Sequence, residues 1–370
     1  MTGLISRIEA FEIRIPLPQP LLMGAMHMAD REYSFVRIHD DEGHVGTSYG
    51  LSRNAPISAT IERLITPRWQ NQRLDDHADF YDRTVRANVF LGTNGIFWRA
   101  ISLADCALFD LLARRANQPL CEYLGGQVKT IPATLAGCYP VATETPESLV
   151  EQMHHMASYG SAGIKITSSS DYARDTERME ICRQAIPDGP GFILDIYCGA
   201  RDADSLLVEA RKWESLNMLW VEDPFGFDDY RNLAALANGL SYPVGVGDEQ
   251  SGALHFERLI EQGKIGLVRL DATVCGGVRG FLDIASRVAK YNLPISCHIF
   301  HHLHAQLAAA VPNVRSIEYM LPESHVESIQ TVWNSDLAWK DGGLALSHAL
   351  GIGYDWNEDA ITHYRSLSAK

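Results

Sequence analysis

No apolar run in this 370-residue chain approaches the roughly 20 residues that a bilayer-spanning helix needs, so a membrane protein is not expected. The amino terminus, Met-Thr-Gly-Leu-Ile-Ser-Arg-Ile-Glu-Ala, lacks a basic segment followed by an apolar core, and a cytoplasmic location is expected. Positive charge is scarce. Lysine and arginine number 32 against 46 acids, a net charge of -14, whereas nucleic-acid binding needs a basic surface. Seven cysteines, Cys106, Cys121, Cys138, Cys182, Cys198, Cys275 and Cys297, are odd in number and contain no Cys-x-x-Cys pair, which reads as reduced and mostly buried thiols. Low-complexity linkers are also missing. An acidic balance does not exclude a small anionic substrate, because a metal and one or two lysines can reverse the field inside a pocket.

What is present is an ordinary globular mixture, 46% hydrophobic and 21% charged, long enough for two or three domains unless one is a barrel. The first segment reads as a small α+β unit. Ser6 to Pro16 alternates in part as a strand does, and Tyr33 to His39 and His44 to Tyr49 form a pair around Asp41-Glu42-Gly43. A helix is expected from about Ile96 to Ala116, with Ala100, Leu103, Ala104, Ala107, Leu108 and Leu111 on one stripe and a stop near Pro119. From about Ile131 short apolar runs alternate with helical stretches. Eight strands are expected, at 133–138, 163–167, 192–196, 218–222, 244–247, 266–270, 294–298 and 314–318. Strand-helix repeats of roughly 20 to 30 residues point to an α/β fold closed as a (β/α)₈ barrel of the TIM type, with a doubly wound open sheet as runner-up.

Ionisable residues end successive strands, at the carboxyl ends where barrel active sites are built: Lys165, Asp195, Glu222, Asp248, Asp271, His298 and Glu318. One charged strand end is a solvent cap; seven in a row are not. Asp195, Glu222 and Asp248 lie on consecutive strands about 5 Å apart, and three anions that close need a cation. An all-oxygen set selects a hard divalent ion, Mg²⁺ with Mn²⁺ as substitute. The adjacent Glu249 is an alternative third ligand, with Asp248 preferred. Asp271 can hold the tautomer of His298 and raise its basicity, making His298 a candidate general acid/base. The run His298, His301, His302, His304 also raises a zinc site, but His301 to His304 read better as the start of the following helix. Lys165 would lie opposite His298 across the mouth, with Thr167 on its own face, or it would simply offset the acids.

At these residues the chain resembles the enolase superfamily, specifically the mandelate racemase subgroup. The likeness runs through Ser102-Leu-Ala-Asp-Cys-Ala-Leu-Phe-Asp110, Tyr123-Leu-Gly-Gly126, the three carboxylate strands, Asp271 with Cys275-Gly-Gly-Val278, Cys297-His298-Ile-Phe300 and Ser316-Ile-Glu-Tyr319. The resemblance implies an α+β cap (residues 1–125 with 341–370) over a barrel (126–340), one Mg²⁺ on Asp195, Glu222 and Asp248, an Asp271-His298 dyad, Glu318 as hydrogen-bond donor to a substrate carboxylate, and a homo-oligomer. It implies a small carboxylate substrate whose α-proton is removed to an enediolate held on the metal. Two departures stand out. The subgroup usually carries Lys-x-Lys where this chain reads Lys165-Ile-Thr167, and Tyr197 stands where Asn is common.

Racemisation needs a base on each face of the α-carbon, and only the His298 face is fully equipped. Dehydration of an acid sugar, an aldonate or aldarate, is therefore the favoured expectation. A racemase or epimerase using Lys165 or Tyr197 as second base and a non-catalytic acid-sugar-binding paralogue are the alternatives. The segments Leu21 to Met28 and Gly50 to Pro56 are candidate lids, from which His27 and Arg53 would reach a distal hydroxyl or second carboxylate.

Overall fold

A computed structural model of the protein describes residues 3–23, 26–141, 143–324 and 326–368. The amino-terminal part is built on three antiparallel strands, β1 (Ile5–Met23), β2 (Met26–Asp40) and β3 (Val45–Leu51), in that order. In β1 the side chains Phe11, Ile13, Ile15 and Leu17 are buried while Glu12, Arg14, Pro16 and Pro18 are not, the two-residue alternation of a half-covered sheet. Within the candidate lid segment Leu21 to Met28, the described residues 21–23 and 26–28 continue the strands. Leu21 pairs with Met28 and Leu22 with His27, because the apolar alternation runs on past Pro16 and a register shift between Pro16 and Leu21 accommodates the prolines without ending the strand.

The helix Ile96–Arg115 covers this sheet, and 15 of its 20 residues are buried. An amphipathic stripe would have buried only one face, but this helix is wedged between the cap sheet and the barrel. Its polar residues satisfy backbone on both sides. Asp110 accepts from Thr47 N (2.9 Å) and Ile352 N (2.6 Å), Ser102 Oγ from Gly276 N (2.8 Å), and Asp105 from Arg279 N (3.0 Å). Gly46 lets β3 cross the helix backbone directly, since a Cβ there would stand 2.1 Å from the Ala107 carbonyl oxygen.

Eight parallel strands follow: β4 (Thr130–Gly137), β5 (Gly163–Thr167), β6 (Phe192–Asp195), β7 (Met218–Glu222), β8 (Val244–Val246), β9 (Leu267–Leu270), β10 (Ile295–Cys297) and β11 (Val314–Met320). Each pairs with the next, and β11 pairs back to β4 (Ile317 with Ala133, Met320 with Ala136), closing the barrel. Crossover helices such as Gly277–Ala289 and His301–Ala310 pack outside. The hairpin β12 (Ala338–Lys340) and β13 (Gly343–Ala345) is tied to β4 through Leu344 and Ile131. A cap segment beginning at 341 therefore cuts this hairpin in its turn. The chain rejoins the cap later, where the helix Glu358–Ser368 lies along β1 and pairs Arg365 with Glu9 (2.7 Å) and Glu358 with Arg37 (2.8 Å). No described helix is long and apolar enough to cross a membrane.

The cap–barrel seam depends on Gly277, whose φ is +79° and whose added Cβ would meet the Asp105 side chain at 2.4 Å. Gly277→Ala should lower stability by about 1–3 kcal/mol, read as a fall in Tm with the fold retained. An unchanged Tm would show that the seam tolerates a side chain there.

Candidate active site

The mouth of the barrel encloses a cavity of about 690 Å³ whose walls include Lys165, Asp195, Tyr197, Asp248, His298 and Glu318. Strand register sets the floor. Thr167 on β5 pairs with Asp195 on β6, and Asp195 pairs with Glu222 on β7, so three ends lie level. Asp248, Asp271 and His298 follow one or two residues past β8, β9 and β10, where the chain turns out of the sheet.

Below the cavity lies a buried ion network. The Lys165 ammonium stands 3.1 Å from Asp195 Oδ2, 2.9 Å from Glu222 Oε1 and 2.7 Å from Glu318 Oε1. Arg269, buried inside the barrel on β9, meets Glu222 through Nε (3.0 Å) and also pairs with Glu318. Trp220 Nε1 donates to the second oxygen of Glu222 (2.8 Å). Burial lowers the tendency of Lys165 to hold its proton, but Glu222, Glu318 and Asp195 outweigh it and keep the ammonium far more basic than usual. Glu318 thus accepts a hydrogen bond from Arg269 through Oε2 and faces the Lys165 ammonium with Oε1.

His298 Nδ1 is 2.8 Å from Asp271 Oδ2, and Asp271 Oδ1 accepts from Thr273 N and Oγ1, both at 2.7 Å. Burial pushes the Asp271 carboxyl up to about 7 against those two hydrogen bonds. Burial, with Lys165, Arg269 and Arg53 nearby, holds the His298 imidazole well below its usual range. The ring is therefore neutral, with Nδ1–H given to Asp271 and the Nε2 lone pair open to the cavity, 3.8 Å from Asp248 Oδ2. His304 takes no part in a zinc cluster. Its Nδ1–H donates to the Ile299 carbonyl (2.5 Å) and its Nε2 accepts from Ala272 N (2.9 Å), so it clamps the chain next to both dyad members. His301 and His302 turn instead to Asp336, at 2.7 and 3.4 Å.

Glu249, the alternative third ligand, is held by Arg53 and Arg99. Tyr197 lines the cavity, and burial beside Tyr139 and Asp195 keeps its phenol protonated well beyond the usual range. Thr167 is buried on the Lys165 face with its hydroxyl unpartnered among the described residues. The His27 side chain lies outside the described residues.

Asp223 escaped the sequence reading. Strand alternation points it away from Glu222, but its φ of +42° at the strand end turns it into the cavity, where burial and Asp248 hold its carboxyl well above the usual range. Arg31 and Arg99, on cap elements facing the barrel, also line the cavity. The Asp-Pro pair after Glu222 was the one local signal for Asp223.

Among the described residues, Asp195, Glu222 and Asp248 do not bring three oxygens within 4.8 Å of one another, because Lys165 is drawn between Asp195 and Glu222. The surroundings nevertheless suit a hard cation. Asp248 Oδ1 and Asp223 Oδ1 are buried without a hydrogen-bond partner, every donor is oxygen, and burial with neighbouring Glu222 and Asp248 raises Asp195 to about 7 despite Lys165.

Residues 7–125 match the model of the mandelate racemase / muconate lactonizing enzyme N-terminal domain, and residues 148–360 that of the enolase C-terminal domain-like family. The chain is 26% identical to an L-talarate/galactarate dehydratase of Salmonella typhimurium over 88% of this chain and 80% of that one. It is 20% identical to an N-succinyl-L-Arg/Lys racemase of Bacillus cereus over 96% of both. The crystal structure of the Salmonella dehydratase liganded with Mg and L-lyxarohydroxamate superposes with a TM-score of 0.87 at 23% identity, covering 98% of this chain and 93% of that one.

The buried neutral His304, held down to about 4 chiefly by burial, gives a pH signature. Unfolded, it titrates near 6.5, so its contribution is present above that pH and is lost as pH falls toward 4. Urea denaturation of wild type and His304→Asn should diverge in pH slope by about 1.4 kcal/mol per unit across that window. Parallel slopes would show that His304 carries a proton when folded.

Proposed function

The chain belongs to the mandelate racemase / muconate lactonizing enzyme family, and we propose that it is a Mg²⁺-dependent dehydratase of acid sugars. The observation that carries this reading is the one-sidedness of the cavity. His298 with Asp271 is equipped to accept a proton, while Lys165 and Tyr197 are held protonated and Thr167 has no group that titrates. A racemase needs a second base; an elimination does not.

His298 Nε2 takes the α-proton, and the C–H bonding pair moves into the adjoining carboxylate to give an enediolate. Asp271 holds Nδ1–H and favours the imidazolium that results. Nε2–H then passes the same proton to the β-hydroxyl on that face, the C–O bond breaks, and water departs. The remaining enol tautomerises to a 2-keto-3-deoxy acid, so substrate equals keto acid plus water. Lys165, anchored by Asp195, Glu222 and Glu318, presents a fixed positive charge to the substrate carboxylate. Asp195, Glu222 and Asp248 are the residues to hold Mg²⁺, with Asp223 beside them. When bound, the ion would supply positive charge where the carboxylate becomes more negative. Magnitude makes that supply necessary, since a positioned base contributes about 10²- to 10⁴-fold and enzymes reach about 10⁶-fold or more.

Screening acid sugars with Mg²⁺ by keto-acid assay and mass spectrometry should find loss of water. His298→Asn and Asp271→Asn should each abolish turnover while Mg²⁺ affinity, by calorimetry, stays nearly intact. Solvent deuterium entering the α-position without water loss would establish the racemase reading instead, and ligand binding with neither change a non-catalytic protein. Wild-type rates in His298→Asn would sink the assignment of the base.

A further inference from the structure

The cavity is divided electrically. Its barrel end carries Asp195, Asp223, Asp248 and Glu318 around Lys165, whereas its cap end carries three arginines against the single carboxylate of Glu249. Arg31 comes from β2, Arg53 from the loop after β3, and Arg99 from the first turn of the helix Ile96–Arg115. Arg53 is fixed in left-handed backbone, φ +54°, which a non-glycine residue adopts at a cost.

Their direct neutralisation is incomplete. Arg53 and Arg99 share one carboxylate, that of Glu249. Arg31 is 4% exposed; its Nε donates to the Val326 carbonyl (2.8 Å), and among the described residues no carboxylate lies within 4 Å of it. Glu327 acts on Arg31 only from longer range. Each guanidinium raises the potential at the next, Arg31 on Arg53 and Arg53 on Arg99. Arg31 is buried, Arg99 half-buried and Arg53 more open to the cavity mouth, and guanidinium forks match the planar carboxylate group.

We propose that Arg31, Arg53 and Arg99 form a second anion subsite that receives the distal carboxylate of a dianionic acid sugar, so that the preferred substrate is an aldarate rather than an aldonate. The proposal rests on the acid-sugar reading above and adds which acid sugar is taken. The proximal carboxylate goes to the Lys165 end and the distal one to the cap, which sets both the length and the direction of the bound chain. A neutral terminal hydroxymethyl group would leave the three cations facing an uncharged partner.

The test is kcat/KM with Mg²⁺ on matched hexaric, hexonic and 6-phosphohexonic acids of one configuration. Wild type should favour the hexaric acid by about ten- to a hundredfold. Arg31→Met should lose at least about tenfold more on the hexaric than on the hexonic acid, through KM, and Arg31→Lys should recover part of it. Arg53→Met, at a more exposed site, serves if Arg31→Met does not fold. Equal or better use of the hexonic acid by wild type, preference for the phosphorylated acid, or equal losses on both substrates would overturn the subsite. If no acid sugar is turned over, the dehydratase reading fails by itself. The subsite is then judged by calorimetry of galactarate against gluconate, where wild type should bind galactarate about tenfold or more tightly and Arg31→Met should not. Equal affinities in wild type would overturn it.

Discussion

Five charged side chains under the barrel mouth, Lys165 and Arg269 against Asp195, Glu222 and Glu318, are the constraint on which the site depends. None could be buried alone, because an unpaired charge in a dry interior costs several kcal/mol. Together they satisfy one another across β5, β6, β7, β9 and β11, so five of the eight strands are locked at the height where substrate would sit. A barrel packed there with leucine and valine would be at least as stable. The charges instead supply a floor of fixed dipoles that needs no rearrangement when negative charge develops above it.

That floor also explains why His298 and Lys165, both nitrogen groups in one cavity, divide their labour. Burial, with cations nearby, keeps the imidazole neutral, while the amine, although buried, faces carboxylates and stays charged. Environment thus separates a neutral imidazole from a fixed cation within one cavity. His304 adds rigidity by joining the carbonyl of Ile299 to the amide of Ala272, one residue beyond each member of the His298–Asp271 pair.

Much of the architecture was legible in the chain. Barrel strands are short apolar runs that carry a polar residue at or near their carboxyl ends, and 163–167 and 218–222 begin and end where expected, at Thr167 and Glu222. Asp271 and His298 were legible as a pair because they end neighbouring strands. Arg269 was not, since in Leu-Val-Arg-Leu it reads as an outward position, and its burial depends on Glu222 and Glu318, about fifty residues away on either side. Asp223 was hidden by a backbone turn that reverses the alternation, and the long cap hairpin by prolines that normally end strands. Arg31 and Arg99 lie on surfaces that become interior only when the cap meets the barrel. The three carboxylates expected from strand spacing do lie at or just past the ends of consecutive strands, and the ammonium of Lys165 stands between Asp195 and Glu222 as their direct partner.

The helix Ile96–Arg115 carries Arg99 at one end and, through Ser102, Asp105 and Asp110, bolts β3, the Gly276 turn and the strand of chain near Ile352 together. A hinge opening the cap as a rigid leaf would have to tear those bonds each turnover. Entry that left those bonds intact would have to use short peripheral segments such as Ser52–Pro56, and its rate would then be a property of a few residues at the rim rather than of interdomain rotation.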